Sequence, residues 1–151
     1  MPRMKIPEEI LTEYDVKGMI SHTQNVRDKA LIATLFNSGC RIGELLFVKI
    51  KHIVFQENHT ARLFVNGKTG KRWILLISCV PYLQDWINRH LRKDDPESYV
   101  WVKPNGELIT YSMVRQMLRD AARRAKVTKK VNPHAFRHAS ATFYANFLTE
   151  A

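Results

Sequence analysis

The sequence holds few cysteines and no long apolar run, and both absences narrow the classes of protein that it encodes. Its 151 residues include two cysteines, Cys40 and Cys79, too few for a disulfide framework or a zinc-type cysteine pair. No apolar run approaches the ~18 residues that a membrane-spanning helix needs, and no signal-peptide pattern opens the chain. We therefore expect one soluble cytoplasmic domain with no membrane partner.

Acidic residues are also scarce: 14 Asp and Glu stand against 24 Lys and Arg, a formal net charge of +10. The excess lies in Arg41–Trp73, with seven basic and two acidic residues, and in Tyr111–Ala151, with eight and two. Clustered positive charge is typical of proteins that bind a polyanion, most often nucleic acid. A basic surface that only keeps the protein soluble explains the net charge equally well, so charge alone leaves both interpretations open.

Helical patterns occupy most of the chain. Capping signals at Thr12 and Asn25, each followed three residues later by an aspartate, predict two helix starts, and Gly39 predicts the end of the second helix. Further helices are predicted over Gly43–Val48, Pro81–Leu91 and Tyr111–Ala125, and after the cap Asn132, where Pro133 takes the first helical position.

Between the third and fourth predicted helices the apolar pattern changes from period 3.6 to period 2. Three segments rich in Val, Ile, Phe and Leu predict an antiparallel meander: His52–Gln56, Ala61–Asn66 and Arg72–Ser78. The predicted fold class is therefore α+β, mainly helical with one small three-stranded antiparallel sheet.

Two motifs in the first basic block place cations at exposed turns. Arg41 stands at the start of a short helix, directly after a glycine stop, where an arginine and free backbone N–H groups can both face an anion. The hairpin Gly67–Arg72 carries two lysines, Lys68 and Lys71, at its tip, which can reach into a groove. Each motif alone is common on protein surfaces.

The second basic block contains Pro133-His134-Ala135-Phe136-Arg137-His138. His134 and Arg137 share one helix face. His134 and His138 have the spacing of metalloprotease zinc ligands, but Ala135 stands where that motif needs Glu, so we predict no metal site and no cofactor. A basic stripe on the preceding helix either follows a phosphate backbone or faces water: Arg115, Arg119, Arg123 and Lys126.

Together these motifs resemble the tyrosine recombinase (phage integrase) family, especially the compact integrases of archaea and their viruses. Gly39–Leu45 is similar to the first arginine box of that family, Gly67–Arg72 to its lysine hairpin, and Asn132–Thr142 to its second box. The resemblance covers essentially the whole chain in the family's order of elements. Three ordered motifs are far more specific than any one of them.

The resemblance implies strand transfer on double-stranded DNA through a 3′-phosphotyrosyl intermediate. In that chemistry Arg41 and Arg137 hold the non-bridging phosphate oxygens, so no metal is needed. Lys68 acts as the general acid on the departing 5′ oxygen, and His134 bonds the phosphate and assists removal of the nucleophile's proton.

Three further residues are given supporting roles. Glu44 is expected to orient the site as a buried or half-buried carboxylate. Lys71 is the alternative general acid because it lies on the hairpin of Lys68. For Lys71 and Arg72 we favour contact with the DNA backbone.

The sequence departs from the family pattern after its second arginine box. In the family the nucleophilic tyrosine lies on a later element, whereas this sequence ends 14 residues after Arg137. Tyr144 falls within the predicted helix of Arg137, and we interpret it as a packing residue. We therefore expect residues 1–151 to form a single catalytic domain, truncated before the nucleophile and lacking the family's N-terminal DNA-clamping domain.

Three functions stay open at this point. The first is an integrase catalytic domain, and the second is a non-catalytic DNA-binding fragment that occupies recombination sites. A type IB topoisomerase, with the same chemistry, is disfavoured by the short chain and small hairpin. The intact set of Arg41, Lys68, His134 and Arg137 favours the first, because a pure binder needs basic residues but not this set. We expect a monomer without DNA and a higher assembly of the full-length protein on DNA.

Overall fold

The computed structural model describes residues 9–68 and 70–150, the last four by their backbone alone; Thr69 of the predicted hairpin lies outside them. The helices in this part of the chain are α1 (Glu13–Ser21), α2 (Val26–Ser38), α3 (Ile42–Leu46), α4 (Val80–Arg89), α5 (Tyr111–Arg124) and α6 (Pro133–Glu150). The strands are β1 (Ile53–Phe55), β2 (Ala61–Gly67) and β3 (Gly70–Leu76). The predicted α+β class, mainly helical with one small antiparallel sheet, is confirmed.

Local capping explains where the helices begin and end. The Thr12 hydroxyl accepts from the Asp15 N–H at 3.1 Å, and the Asp15 carboxylate accepts from the Thr12 N–H at 2.9 Å, so α1 starts on a reciprocal capping box. The Asn25 side chain accepts from the Asp28 N–H at 3.0 Å at the start of α2, and Gly39 ends α2 in the left-handed region at φ 63°. Asn132 accepts from the third residue of α6 at 2.8 Å. These predicted caps are all confirmed.

The sheet has the order β1-β2-β3 with both pairings antiparallel, and Gly67 pairs with Gly70 across the β2–β3 hairpin. Strand β1 is shorter than predicted because Ile50–His52 forms a 3₁₀ turn instead. Strand β3 ends earlier than predicted because the Asn37 side chain takes the backbone N–H groups of Ile77 and Cys79. The inner face of the sheet is buried along β2 at every second residue.

Helix α2 lies at the centre of the core and packs against α1, α4 and α6. Every residue from Ala30 to Asn37 is buried, so this helix is covered on all sides. Helix α6 docks so closely that a Cβ at Gly39 would lie 2.8 Å from the Ser140 hydroxyl, which requires glycine there in addition to its positive φ. This contact brings the first and second arginine boxes together. None of the described helices is long and apolar enough to cross a membrane.

Candidate functional site

The centre of the site is Glu44, whose side chain is 4% exposed. It lies in the first turn of α3, where its Oε1 accepts from the Arg41 backbone N–H at 2.9 Å. Arg72 of β3 donates from Nη1 to Oε2 at 2.6 Å and from Nη2 to Oε1 at 3.1 Å. The two guanidinium nitrogens therefore hold the two carboxylate oxygens in a bidentate ion pair. The expectation that Glu44 is a buried carboxylate is confirmed.

The surroundings of Glu44 keep it ionised. The Arg72 hydrogen bonds lower the pKa of the Glu44 carboxyl below its usual range, against the opposing effect of burial, and the Arg41 N–H adds to the lowering. The same hydrogen bonds raise the pKa of the Arg72 guanidinium. The pair is thus a permanent charge pair at neutral pH.

Arg137 stands beside this pair without joining it. Its Nη1 lies 4.0 Å from Glu44 Oε1, too far for a hydrogen bond, and its side chain is 37% exposed. That nitrogen is itself buried and has no hydrogen-bond partner among the described residues. Buried donors without a partner are uncommon in native proteins and need an explanation. Glu44 already accepts three hydrogen bonds, so Arg137 retains donor capacity for another acceptor.

The lysine hairpin rests on the same carboxylate. A Cβ at Gly67 would collide with Glu44 Oε2, so the backbone of β2 comes as close to Glu44 as a glycine permits. Lys68 follows directly and is exposed at the turn, and Lys71 is exposed on β3. Gly70 has a φ of 104°, which favours glycine at the return of the chain. Glu44 therefore connects the first arginine box to the base of the lysine hairpin, and Arg137 lies beside it.

His134 lies in the first turn of α6, three residues before Arg137, and its side chain is exposed. The opposite face of this turn anchors the helix, because Ala135, Phe136 and Ala139 are buried. Among the described residues no three His, Cys, Asp or Glu side chains are grouped as a metal ion would require.

The basic stripe lies on the solvent face of α5. The helix buries Val114, Leu118, Ala121 and Ala122 and leaves exposed Arg115, Arg119 and Arg123; Lys126, also exposed, lies two residues beyond its end. Arg119, Arg123 and Lys126 also line an open cleft of about 520 Å³ at the end of the helix. Asp120 neutralises part of this charge through Arg123 at 2.9 Å.

Tyr144 is held away from free solvent by a polar contact with α2. Its hydroxyl accepts from Asn37 Nδ2 at 2.9 Å, and its ring packs against Phe36 and Phe143. Burial raises the pKa of the Tyr144 hydroxyl. These contacts agree with the interpretation of Tyr144 as a packing residue.

Two contacts of the site are not predicted by the motifs: the ion pair of Arg72 with Glu44 and the close approach of Gly67 to Glu44. The register of the hairpin indicates the first of them. Pairing Gly67 with Gly70 places Arg72 opposite Val65, which faces the core, so Arg72 must begin on the inner side of the sheet. The prediction that Arg72 contacts the DNA backbone stays a prediction, but its terminal nitrogens already have an internal partner.

The chain is similar to known proteins over most of its length. The model of the phage integrase family matches residues 9–147. Over 147 aligned residues the chain is 33% identical to tyrosine recombinase XerA of Pyrococcus furiosus, which covers 91% of this chain and 49% of that protein. The chain thus spans about half the length of the relatives that it matches.

Solved structures share the fold. The crystal structure of XerA recombinase has a TM-score of 0.81 and 28% identity, over 97% of this chain and 53% of that one. XerH recombinase, in a pre-cleavage complex with its difH substrate, has a TM-score of 0.76 and 20% identity, over 97% and 46%. Because the family model matches residues 9–147, the chain belongs to the phage integrase family.

Proposed function

We propose that this chain is the catalytic part of a site-specific DNA recombinase, which cleaves and rejoins DNA through a 3′-phosphotyrosyl intermediate. The observation that carries the proposal is one buried carboxylate, Glu44, which binds the Arg41 backbone N–H, touches the base of the lysine hairpin and lies 4.0 Å from Arg137. Relatives named as tyrosine recombinases, and a structural neighbour in complex with its DNA substrate, support it.

The charges of the site suit a phosphodiester under attack. Arg41, Arg72 and Arg137 surround one carboxylate, Glu44, so the cluster keeps an excess of positive charge. In the proposed mechanism Arg41 and Arg137 each hold a non-bridging oxygen, where negative charge gathers in the transition state. Glu44 orients Arg41 through its backbone N–H.

Proton transfer falls to the exposed residues around this clamp. Lys68 protonates the departing 5′ oxygen as the general acid. His134 hydrogen-bonds the phosphate and assists removal of the proton from the attacking hydroxyl. Lys71, exposed on the same hairpin, is the alternative acid or a contact to the backbone of DNA.

Duplex DNA is the proposed partner. The exposed face of α5 and the residues just after it offer a row of cations to successive phosphates: Arg115, Arg119, Arg123 and Lys126. Phosphate contacts supply affinity and strong salt dependence but little sequence discrimination. We therefore expect weak and largely sequence-indifferent binding by this chain alone.

The second candidate is a DNA-binding fragment that occupies recombination sites without cleaving them. One observation favours it: the hydroxyl of Tyr144, on the helix of Arg137, is bonded to Asn37. A tyrosine held by a scaffold residue is a poor nucleophile, because attack would require breaking that contact and deprotonating a hydroxyl whose pKa is raised by burial.

Titration of a labelled duplex across salt concentrations tests the shared requirement of both candidates. If ~5 phosphates are neutralised, the slope of log K against log salt should be about −4 to −5. Arg137→Ala should weaken binding more than Arg62→Ala, which removes one arginine from the outer face of the sheet. A flat salt response would contradict DNA binding altogether.

Two measurements then separate catalysis from binding. Crystals grown with vanadate should show the oxyanion bound between Arg41, His134 and Arg137. If no oxyanion is bound there and the Arg41 and Arg137 guanidiniums lie on opposite faces of the protein, the catalytic proposal is contradicted. Incubation with a nicked duplex should give no covalent complex through Tyr144. A complex that disappears in Tyr144→Phe would show that Tyr144 is the nucleophile.

A further inference from the structure

We infer that Arg72 is a positioning residue: by occupying Glu44 it prevents that carboxylate from capturing Arg137, and so leaves Arg137 available to the phosphate. The inference rests on the proposed function, because it assigns a role to a residue outside the proposed phosphate clamp. It also gives Arg72 an internal role in place of contact with the DNA backbone.

Two arginines, Arg72 and Arg137, approach the same buried carboxylate, that of Glu44. Arg72 reaches it from β3 with two short hydrogen bonds of 2.6 and 3.1 Å. Arg137 reaches toward it from α6 and stops at 4.0 Å, with a buried nitrogen that has no hydrogen-bond partner among the described residues. The Arg41 backbone N–H already donates a hydrogen bond to Glu44 Oε1.

Burial makes this competition consequential. A carboxylate that is 4% exposed needs a counter-charge, because an unpaired ion in the interior is strongly destabilising. Without Arg72, the nearest remaining guanidinium on a neighbouring element is that of Arg137. A movement of about 1 Å would bring its Nη1 into a charge-assisted hydrogen bond with Glu44. The N–H groups used there would no longer be available to a phosphate oxygen.

The same ion pair also fixes the hairpin. Arg72 lies two residues after Gly70, and Gly67 rests directly against Glu44. The carboxylate is thus held by one strand of the hairpin and touched by the other. Loss of Arg72 should therefore loosen the hairpin that carries Lys68, which is a separate effect from the capture of Arg137.

A double substitution separates the two effects. Arg72→Ala should weaken duplex binding by about tenfold at fixed salt, because it removes its own charge and also commits Arg137 to Glu44. The charge-matched Arg62→Ala should weaken binding by only about two- to threefold. In Arg72→Ala combined with Glu44→Gln, the neutral amide can hold Arg137 only through a weaker hydrogen bond without charge assistance, and affinity should return to the level of Arg62→Ala.

The same set distinguishes the other roles of Arg72. If Arg72 contacts DNA directly, or only stabilises the fold, Glu44→Gln raises the affinity of Arg72→Ala by no more than it raises that of the wild type, since it removes one negative charge in both. That result would overturn the inference, which requires a larger gain in the Arg72→Ala background. Arg72→Lys, which supplies a counter-charge without a bidentate fork, should bind between the wild type and Arg72→Ala.

Nuclear magnetic resonance of the side-chain and backbone N–H groups provides the second readout. In Arg72→Ala the Arg137 guanidinium signals should shift toward those of an ion pair, and they should return in the double variant. Amide exchange around Lys68 should be faster in both, since neither has the Arg72–Glu44 pair. Absence of the Arg137 shift in folded Arg72→Ala would contradict the inference.

Failure of the proposed function looks different. If the wild type shows no salt-dependent DNA binding, or Arg137→Ala binds as the wild type does, the phosphate clamp itself is wrong. If those two tests succeed and the double variant shows no recovery, only the role of Arg72 is wrong.

Discussion

Two polar side chains, Asn37 and Glu44, each connect separate elements of the fold, Asn37 through neutral hydrogen bonds and Glu44 through charged groups. Asn37 on α2 accepts from the Ile77 N–H at 2.9 Å and the Cys79 N–H at 3.1 Å, and donates to the Tyr144 hydroxyl at 2.9 Å. It thereby joins α2, the end of the sheet and α6. All of its partners are neutral, and its carbonyl and amide groups are both engaged.

Glu44 also lies where a helix, the sheet and α6 meet, but its neighbours are charged. It belongs to α3, its ion-pair partner Arg72 belongs to β3, and Arg137 belongs to α6. Its carboxylate binds Arg72 and the Arg41 N–H, and a third group, Arg137, remains at 4.0 Å. We call the contacts of Asn37 the neutral joint and those of Glu44 the charged joint, because the charged joint has more positive than negative groups. The neutral joint only holds the fold, whereas the charged joint holds the fold and also leaves hydrogen-bond donors for a ligand.

The largest expected effect comes from breaking the neutral joint. Asn37→Ala removes three hydrogen bonds and leaves the buried Cys79 N–H and the half-buried Ile77 N–H without this acceptor. The free energy of unfolding should fall by about 3 kcal/mol. Urea denaturation measures it, and the DNA affinity of the folded fraction should be unchanged. A loss below about 1 kcal/mol would show that water or another acceptor replaces Asn37.

A smaller effect is expected from crowding the charged joint. Gly67→Ala places a methyl group against the Glu44 carboxylate and should cost about 1–3 kcal/mol of stability while displacing the hairpin. Gly43→Ala is the matched control, since a Cβ at this helical glycine meets nothing within 4 Å. The control should be neutral or more stable by about 0.5–1 kcal/mol. Equal thermal stabilities of the two variants would refute the close contact at Gly67.

The smallest effect distinguishes the two joints by pH. Because the folded-state pKa of Glu44 is lowered, its ion pair stabilises the protein above the ordinary glutamate pKa of 4.5. That contribution is lost as the pH falls through the lowered value. The stability difference between wild type and Glu44→Gln, about 1 kcal/mol or less at neutral pH, should therefore shrink in acid.

The corresponding control uses the neutral joint again. The stability difference between wild type and Asn37→Ala should stay constant over the same pH range, because Asn37 does not titrate. Urea denaturation of all three proteins between pH 7 and the acid limit of folding provides the comparison. A Glu44→Gln difference that is independent of pH would mean that charge contributes nothing to this joint.

The fold class and the helix caps could be predicted from the sequence, whereas the contacts of the site could not. Thr12, Asn25, Gly39 and Asn132 act on backbone groups three or four residues away, so their signals lie in short windows of sequence. Strand β3 ends earlier than its local pattern predicts, because Asn37 takes backbone groups from a segment 40 residues away. No local pattern contains that contact.

The sequence by itself determined the order of the arginine boxes, the lysine hairpin and the capped helices, because each depends on nearby residues and on chemical type. Only the tertiary structure decided which arginine Glu44 holds. Arg72 is 28 residues away along the chain, and Arg137 is on the last helix. The choice between them depends on little more than 1 Å, set by the register of β2 and β3 and by how α6 docks on Gly39. Hydrogen bonds weaken steeply over such distances, so the assembled fold determines which guanidinium binds the carboxylate.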